Sequence, residues 1–379
     1  MSVVPFSFSF FYLSSLLFFR ERGSRISIMS SPTTATAWQY GKRGNLSQTL
    51  ESKQVQIPAP KSGEVLVKVY AAALNPVDWK IAALMPGWIN KLPHTAAADF
   101  AGQVVTIGSD TDIKDKPWLK QGARVYGALT PDETMKSGGG SLSTFLLAKT
   151  VSLSLIPEGL SYIDASGYGI CGTTAATMVS KMKKQDRVLV LGGTTSVGLY
   201  LLQMCREEQA SLIVATSSKE KASSAKQAGA DEIVDYRSED AETILKERYG
   251  SNPFDVIFDC VGSFKTFAAC ASYLKKDGIY LNVGASDLDP NRTLRSGMEL
   301  AKNTIWYTLR PRLLGGTPRK YLFSGRNNSY ISRMADYVTY GTIKPWTDSV
   351  FSFEEAPKAY AYLGKGRALG KVVVKVQDE

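Results

Sequence analysis

The sequence predicts an α/β fold in which a doubly wound parallel sheet is joined to a mostly β unit. Two observations carry this. Between Arg187 and Gly284, short apolar runs begin every 20 to 24 residues with helix-like segments between them, the rhythm of βαβ units. From Trp38 to about Lys149 the chain shows only β-rich runs, broken by Gly, Pro, Asp and Ser clusters, which reads as a compact β unit. A length of 379 residues fits two such units.

Along the chain, "VVPFSFSFFYLSSLLFF" (Val3 to Phe19) is apolar but interrupted by serines and a proline. It falls short of the ~20 apolar residues of a spanning helix and lacks the basic flank of a secretory signal. The Arg- and Ser-rich stretch after it has some features of a mitochondrial presequence. A start at Met29 is the alternative, and membrane or lipid-surface association is expected only if residues 1–28 are retained. "EVLVKVYAAAL", "AGQVVTIG", "ARVYGAL" and "STFLLAK" are the expected strands of the β unit. "TPDETMKSGGG" (Thr130 to Gly140) reads as an exposed polar loop. After "IPEGLSYIDAS" come strands at "RVLVLGG", "SLIVATSS", "DEIVDY", "FDVIFDCVG" and "GIYLNVG". The helices expected between them are "SVGLYLLQMCREEQA", "KEKASSAKQAGA", "SEDAETILKERYG" and "SFKTFAACASYLKK". Continuous Val, Ile and Leu runs suit strands buried on both faces, and right-handed crossovers then give a sheet that binds ligand at its carboxyl ends. The tail predicts a helix at "ISRMADYVTYG", another within "FSFEEAPKAYAYLGKG", and a final strand at "GKVVVKV".

A formal charge of +10 invites a polyanionic partner, but Lys and Arg are scattered with no basic arm, so nucleic acid is not an expected partner. Attraction of a phosphorylated ligand and solubility account for the charge equally well. The 4 cysteines, Cys171, Cys205, Cys260 and Cys270, show no paired spacing. They read as free thiols in a reducing compartment, which places the chain in the cytoplasm, with the mitochondrion as the alternative.

"VLVLGGTTSVG" (Val188 to Gly198) is a strand, a small-residue turn and a helix start. Against G-x-G-x-x-G it matches as Gly193, Thr195 and Gly198, with threonine at the middle position. Its place at the head of the βαβ series makes it a dinucleotide loop, in which Thr194, Thr195 and Ser196 add hydroxyls and Val197 opens the helix. A tight βα turn that binds nothing is the alternative. About twenty residues on, where an acid would hold the ribose of NAD, stand Ser217, Ser218, Lys219 and Lys221. Hydroxyls and cations there favour a 2′-phosphate, hence NADPH; a polar helix cap with solvated lysines is the alternative.

Taken together, "LNPVDWK", "PHTAAADFAGQVVTIG", "VLVLGGTTSVG", "AGADEIVDYRSED", "FDVIFDCVG" and "SVFSFEEAPKAYAYLGKGRALGKVVVKV" resemble the zinc-free quinone oxidoreductase branch of the medium-chain dehydrogenase/reductase superfamily, close to the reticulon-interacting and fungal oxidoreductases. The resemblance runs from about Trp38 to Val376. It implies a Rossmann sheet inserted in a GroES-like catalytic domain: an N-terminal extension at 1–36, the catalytic domain at 37–160, the NADPH-binding domain at 161–305, and a return to the catalytic domain at 306–379. It also implies that Lys221 or Lys219, with Tyr236, holds the 2′-phosphate. Thr174, Cys260, Val261, Val283 and Gly284 match segments lining the adenine and nicotinamide ends, while Asn75 and Asp78 match the substrate side. A homodimer is usual in the family. The loops Met85 to Leu92 and Pro311 to Asn327 are expected to shape the cleft.

The chain has 1 histidine, His94. Zinc members carry a G-H-E motif where this sequence has Ala97, Ala98 and Asp99, and their cysteine near "NPVDWK" is absent. No metal is therefore expected, since a catalytic zinc needs about three protein ligands, and His94 reads as a loop residue. Hydride transfer is then expected to a carbon already electrophilic by conjugation, in a small-molecule quinone or enone, with Asn75 near the developing oxygen. The tyrosine acid of enoyl thioester reductases is not found after "NPVD"; Tyr126 and Trp88 read as core or cleft-wall aromatics. A rival from another class is a catalytically weak NADPH-binding module used for interaction or redox sensing.

Overall fold

The structure, a computed structural model, describes residues 32–237, 240–284, 319–325, 327 and 330–379, with isolated positions 298, 302, 305 and 306. The readings of residues 1–28 and of most of the loop from Pro311 to Asn327 lie outside the described residues.

The β unit is built on β3 (Glu64–Leu74), buried along nearly its whole length. One edge pairs with β5 (Asp99–Ile107). The other is shared: β7 (Phe145–Lys149) covers Glu64 to Lys68, and β16 (Lys371–Lys375) covers Ala71 to Leu74. The C-terminal strand thus closes a sheet begun almost 300 residues earlier, and β15 (Thr347–Ser352) extends it in parallel. β6 (Arg124–Ala128) and β8 (Leu153–Leu155) complete the far side. A separate small sheet pairs β1 (Thr34–Tyr40) with β2 (Leu50–Gln56) and β4 (His94–Thr95).

The second sheet contains β9 (Arg187–Leu191), β10 (Leu212–Ser217), β11 (Glu232–Asp235), β12 (Phe254–Asp259), β13 (Leu274–Asn282) and β14 (Lys320–Phe323). Its order is β11-β10-β9-β12-β13-β14, parallel throughout. This is the doubly wound order, with the winding reversing between β9 and β12. Val188, Leu189 and Val190 are fully buried, as expected of strands covered by helices on both faces.

Two local expectations are corrected. The helix expected through "SFKTFAACASYLKK" stops at Ala269, and β13 begins at Leu274, because Leu274 pairs with Phe254 across a register shift in β12. The loop expected to be exposed at Thr130 to Gly140 contains a short helical turn, Asp132–Lys136, with Thr134 buried. Glu133 draws it inward: its carboxylate accepts hydrogen bonds from Thr130 N at 2.8 Å, Lys149 N at 2.5 Å and Ser152 Oγ at 2.6 Å. Among the described residues no helix is long and apolar enough to cross a membrane.

Candidate functional site

The glycine turn leaves β9 at Leu191. Gly192 takes a left-handed φ of 74°, a conformation that favours glycine, and the fingerprint reading passed over it. Gly192 N donates to Thr216 Oγ1 at 2.8 Å and Gly193 N to Thr216 O at 2.9 Å, which locks the turn to the neighbouring strand. Thr195, at the fingerprint's middle position, caps the helix Ser196–Glu207: its Oγ1 accepts from Gly198 N at 3.1 Å. The threonine therefore replaces a glycine with an N-cap, a residue type suited to that position. The first amides of this helix, including Ser196 and Val197, have no intrahelical partner and point along the positive end of the helix dipole. Ser196 Oγ donates to Gly370 O at 2.7 Å, and Thr194 Oγ1 lies 3.5 Å from Ser217 Oγ.

At the end of β10, Ser217 and Ser218 are buried and Lys219 is exposed. Lys221 Nζ donates to the carbonyls of Arg367 at 2.6 Å and Ala368 at 3.2 Å, which binds the tail loop to this corner. Tyr236, 51% exposed, follows β11, and Arg237 lies 5.8 Å from its ring. Glu220 pairs with Arg237 at 3.3 Å, which occupies the carboxylate nearest the lysines. Arg237 was not singled out from the sequence.

After β12, Asp259 Oδ1 accepts from the amides of Val261 and Gly262 at 2.8 Å each, and Tyr280 donates to its Oδ2 at 2.7 Å. This shapes the turn holding Cys260 and Val261. Burial pushes the Cys260 thiol well up, so it stays neutral. Gly284 N donates to Asn282 Oδ1 at 2.8 Å, and Val283 N to Asp259 O at 2.9 Å. The registers pair Leu191 with Asp259 and Asp259 with Asn282. The glycine turn and the loops of Cys260, Val261, Val283 and Gly284 therefore gather at one end of adjacent strands. Thr174 sits apart, buried in the helix Ile170–Val179.

On the catalytic side a buried polar network was only partly foreseen. Asn75, 1% exposed, precedes the helix Pro76–Leu84. Its Nδ2 donates to Asp99 Oδ2 at 2.9 Å and Ala73 O at 3.4 Å, while its Oδ1 accepts from Lys371 Nζ at 2.6 Å and Cys171 Sγ at 3.3 Å. Both amide donors are thus engaged, and the arrangement leaves none for a substrate oxygen. Asp99 also accepts from Ile170 N at 2.7 Å. Gly169 is required beside it, since a Cβ there would stand 2.4 Å from Asp99 Oδ1. Lys371 pairs with Asp99 at 3.1 Å with side-chain exposures of 2% and 0%. Burial pulls the Lys371 ammonium down, but Cys171 and Asp99 outweigh it and hold the group above its ordinary value. The one sequence signal for Lys371 was a charge at the head of a Val-rich strand.

Asp78 Oδ2 accepts from Asn75 N at 2.8 Å and Tyr360 Oη at 3.2 Å. Burial is the main cause that pushes its carboxyl up to about 7. The folded state therefore holds more protons than the unfolded one, so this group's contribution to stability is full below about pH 4. It is lost as the pH rises through about 7. Asp78→Asn, which does not titrate, is expected to flatten the decline of the urea midpoint between about pH 5 and about pH 7. Parallel curves for the two proteins would contradict this assignment.

His94, expected in a loop, lies in β4, pairs with Tyr40 across the small sheet, and stacks on its ring at 5.1 Å. Burial lowers the imidazole to about 4, so it is neutral at pH 7. Among the described residues no group of three or more His, Cys, Asp or Glu is placed to hold a metal ion. Of the two aromatics read as core or cleft-wall residues, Tyr126 is fully buried in the core and Trp88 is 85% exposed.

Comparison with known proteins agrees with this fold. A family model for the alcohol dehydrogenase GroES-like domain matches residues 61–158, and one for zinc-binding dehydrogenase matches residues 228–374. A trans-enoyl reductase of Penicillium oxalicum is 28% identical, over 93% of this chain and 100% of its own. An NADPH-dependent alkenal/one oxidoreductase of Arabidopsis thaliana is 29% identical, over 91% of this chain and 80% of its own. The quinone oxidoreductase structure from Coxiella burnetii superposes with a TM-score of 0.71 at 23% identity, covering 91% of this chain and 100% of its own, a likeness of fold. With a GroES-like β unit joined to a Rossmann sheet, the chain belongs to the medium-chain dehydrogenase/reductase superfamily, as a quinone oxidoreductase-like oxidoreductase.

Proposed function

We propose that this oxidoreductase uses NADPH to reduce a small-molecule quinone or α,β-unsaturated carbonyl without zinc, with residues 161–305 as the nucleotide unit and 37–160 with 306–379 as the catalytic unit. The observation that carries the reading is the set of loops at the carboxyl ends of β9, β10, β12 and β13, where the winding of the sheet reverses. The donors there suit a phosphorylated dinucleotide. The helix N-terminal amides of Ser196 and Val197 are assigned to a pyrophosphate, with Gly193, Thr194, Thr195 and Gly198 shaping the turn that carries them. Ser217, Lys219, Lys221 and Tyr236 are assigned to a 2′-phosphate, Lys221 also holding the carbonyls of Arg367 and Ala368. Cys260, Val261, Val283, Gly284 and Thr174 are assigned to the walls.

When bound, the reduced nicotinamide supplies the hydride. The chain's part is to place that cofactor, exclude water and set the local field. Asn75 and Asp78 serve as positioning residues: Asn75 orients Lys371 and Asp99, and Asp78 fixes the turn that presents Asn75. The names of the relatives, a trans-enoyl reductase and an alkenal/one oxidoreductase, support a conjugated carbonyl as substrate.

Titration of the protein with NADPH and NADH, followed by nucleotide fluorescence, tests the reading. Binding is expected to favour NADPH. The double variant Lys219→Ala/Lys221→Ala should weaken NADPH by more than about tenfold, because charged hydrogen bonds to phosphate contribute about 1.5–3 kcal/mol. NADH should be little affected. Equal affinity for the two nucleotides, or an NADPH affinity indifferent to both lysines, would contradict it.

A further inference from the structure

Three acceptor atoms from distant parts of the chain converge on one buried nitrogen. Asn75 Oδ1 lies 2.6 Å from Lys371 Nζ, Asp99 Oδ2 lies 3.1 Å away and Cys171 Sγ 3.7 Å away. Asn75 precedes a helix, Asp99 opens β5, Cys171 lies in the helix Ile170–Val179, and Lys371 heads β16. An amide oxygen, a carboxylate and a sulfur around one point make a cation cradle, and its occupant is an ammonium covalently tethered to the fold.

We propose that Asn75, Asp99 and Cys171 form a cation site whose resident cation is the Lys371 ammonium, and that Lys371 thereby keeps divalent metal out of this buried space, although one of the two family models that the chain matches, over residues 228–374, is named for a zinc-binding dehydrogenase. The donor set explains the exclusion. With Lys371 in place the Asp99 charge is already neutralised, so a divalent ion entering this buried space would bring uncompensated charge. Its tether also gives the ammonium a high effective concentration against any free ion. Without Lys371, Asp99 and a deprotonated Cys171 supply two negative charges and Asn75 a carbonyl, a set that balances a divalent ion. Metal binding releases the thiol proton to solvent. The inference rests on the metal-independent reading above, but its test reads metal binding rather than turnover or nucleotide affinity.

Metal-stripped full-length protein and the variant Lys371→Ala are titrated with Co2+, following the thiolate-to-metal charge-transfer absorption. The variant is expected to develop that band at one ion per chain, since the repelling ammonium is gone. The parent is expected to show no band, and Lys371→Ala/Cys171→Ser is expected to lose it. Should the variant fold poorly, Zn2+ is expected to raise its melting temperature or restore its fold, and to leave the parent unchanged. A thiolate band in the parent would overturn the proposal. So would a Lys371→Ala protein that gains neither the band with Co2+ nor stability with Zn2+, or one whose band survives loss of Cys171.

Discussion

Replacing Lys371 with methionine is expected to cost about 3–5 kcal/mol of folding stability, read as a fall in the urea midpoint at about pH 7. The methionine keeps the apolar stem, which packs near Gly167, and removes only the charge. Asp99 is then left as a carboxylate at 0% exposure, with Asn75 Nδ2 and Ile170 N as its remaining donors. Breaking one half of a buried pair costs far more than removing both halves. Lys371→Met/Asp99→Asn is therefore expected to recover more than half of the loss. A single-variant loss below about 1 kcal/mol would mean that the pair is not a structural tie.

The second large effect is expected at Gly198. Its neighbourhood has no room for a side chain: an added Cβ would stand 2.3 Å from Gly192 O and 2.9 Å from the backbone of Gly193. Backbone cannot rotate away as a side chain would, so Gly198→Ala must push the helix Ser196–Glu207 off β9. Overpacking of this kind costs about 1–3 kcal/mol. The same shift moves the N-terminal amides proposed to meet the pyrophosphate, and nucleotide affinity should fall by more than about tenfold. Gly41→Ala is the control, with nothing within 4 Å of its new Cβ, and both properties should stay at parental values. An unchanged nucleotide affinity in Gly198→Ala would remove this turn from the site.

The strands of both sheets were legible because their signals are local. β3 coincides with "EVLVKVYAAAL", and β9 to β12 fall on the apolar runs at the head of each βαβ unit. The glycine turn was legible for the same reason, although the residue whose backbone most demands glycine proved to be Gly192. What stayed hidden depends on pairing across the chain. Lys371 meets Asn75 across 296 positions and Asp99 across 272, and a single lysine at the head of a Val-rich strand carries no period that reveals such partners. The inward turn at Glu133 likewise depends on Lys149 and Ser152, so a polar loop read as exposed is drawn inward, with Thr134 buried. The hydroxyl of Ser196, read as a phosphate donor, is committed to Gly370, a contact made only when the tail returns. Local pattern thus locates elements, whereas the chemistry of the catalytic side is set by contacts that only the closed sheet creates.

The activity proposed for this chain is hydride transfer from NADPH to a conjugated carbonyl or quinone without a metal. The most direct measurement is NADPH oxidation by chelator-treated protein, followed by its absorbance, with a para-quinone and an α,β-unsaturated ketone as acceptors. Saturable consumption of NADPH with at least one acceptor, unchanged by the chelator and slower with NADH, is the predicted result. No consumption with either acceptor despite bound NADPH, or activity that disappears with chelation and returns with added Zn2+, would contradict it.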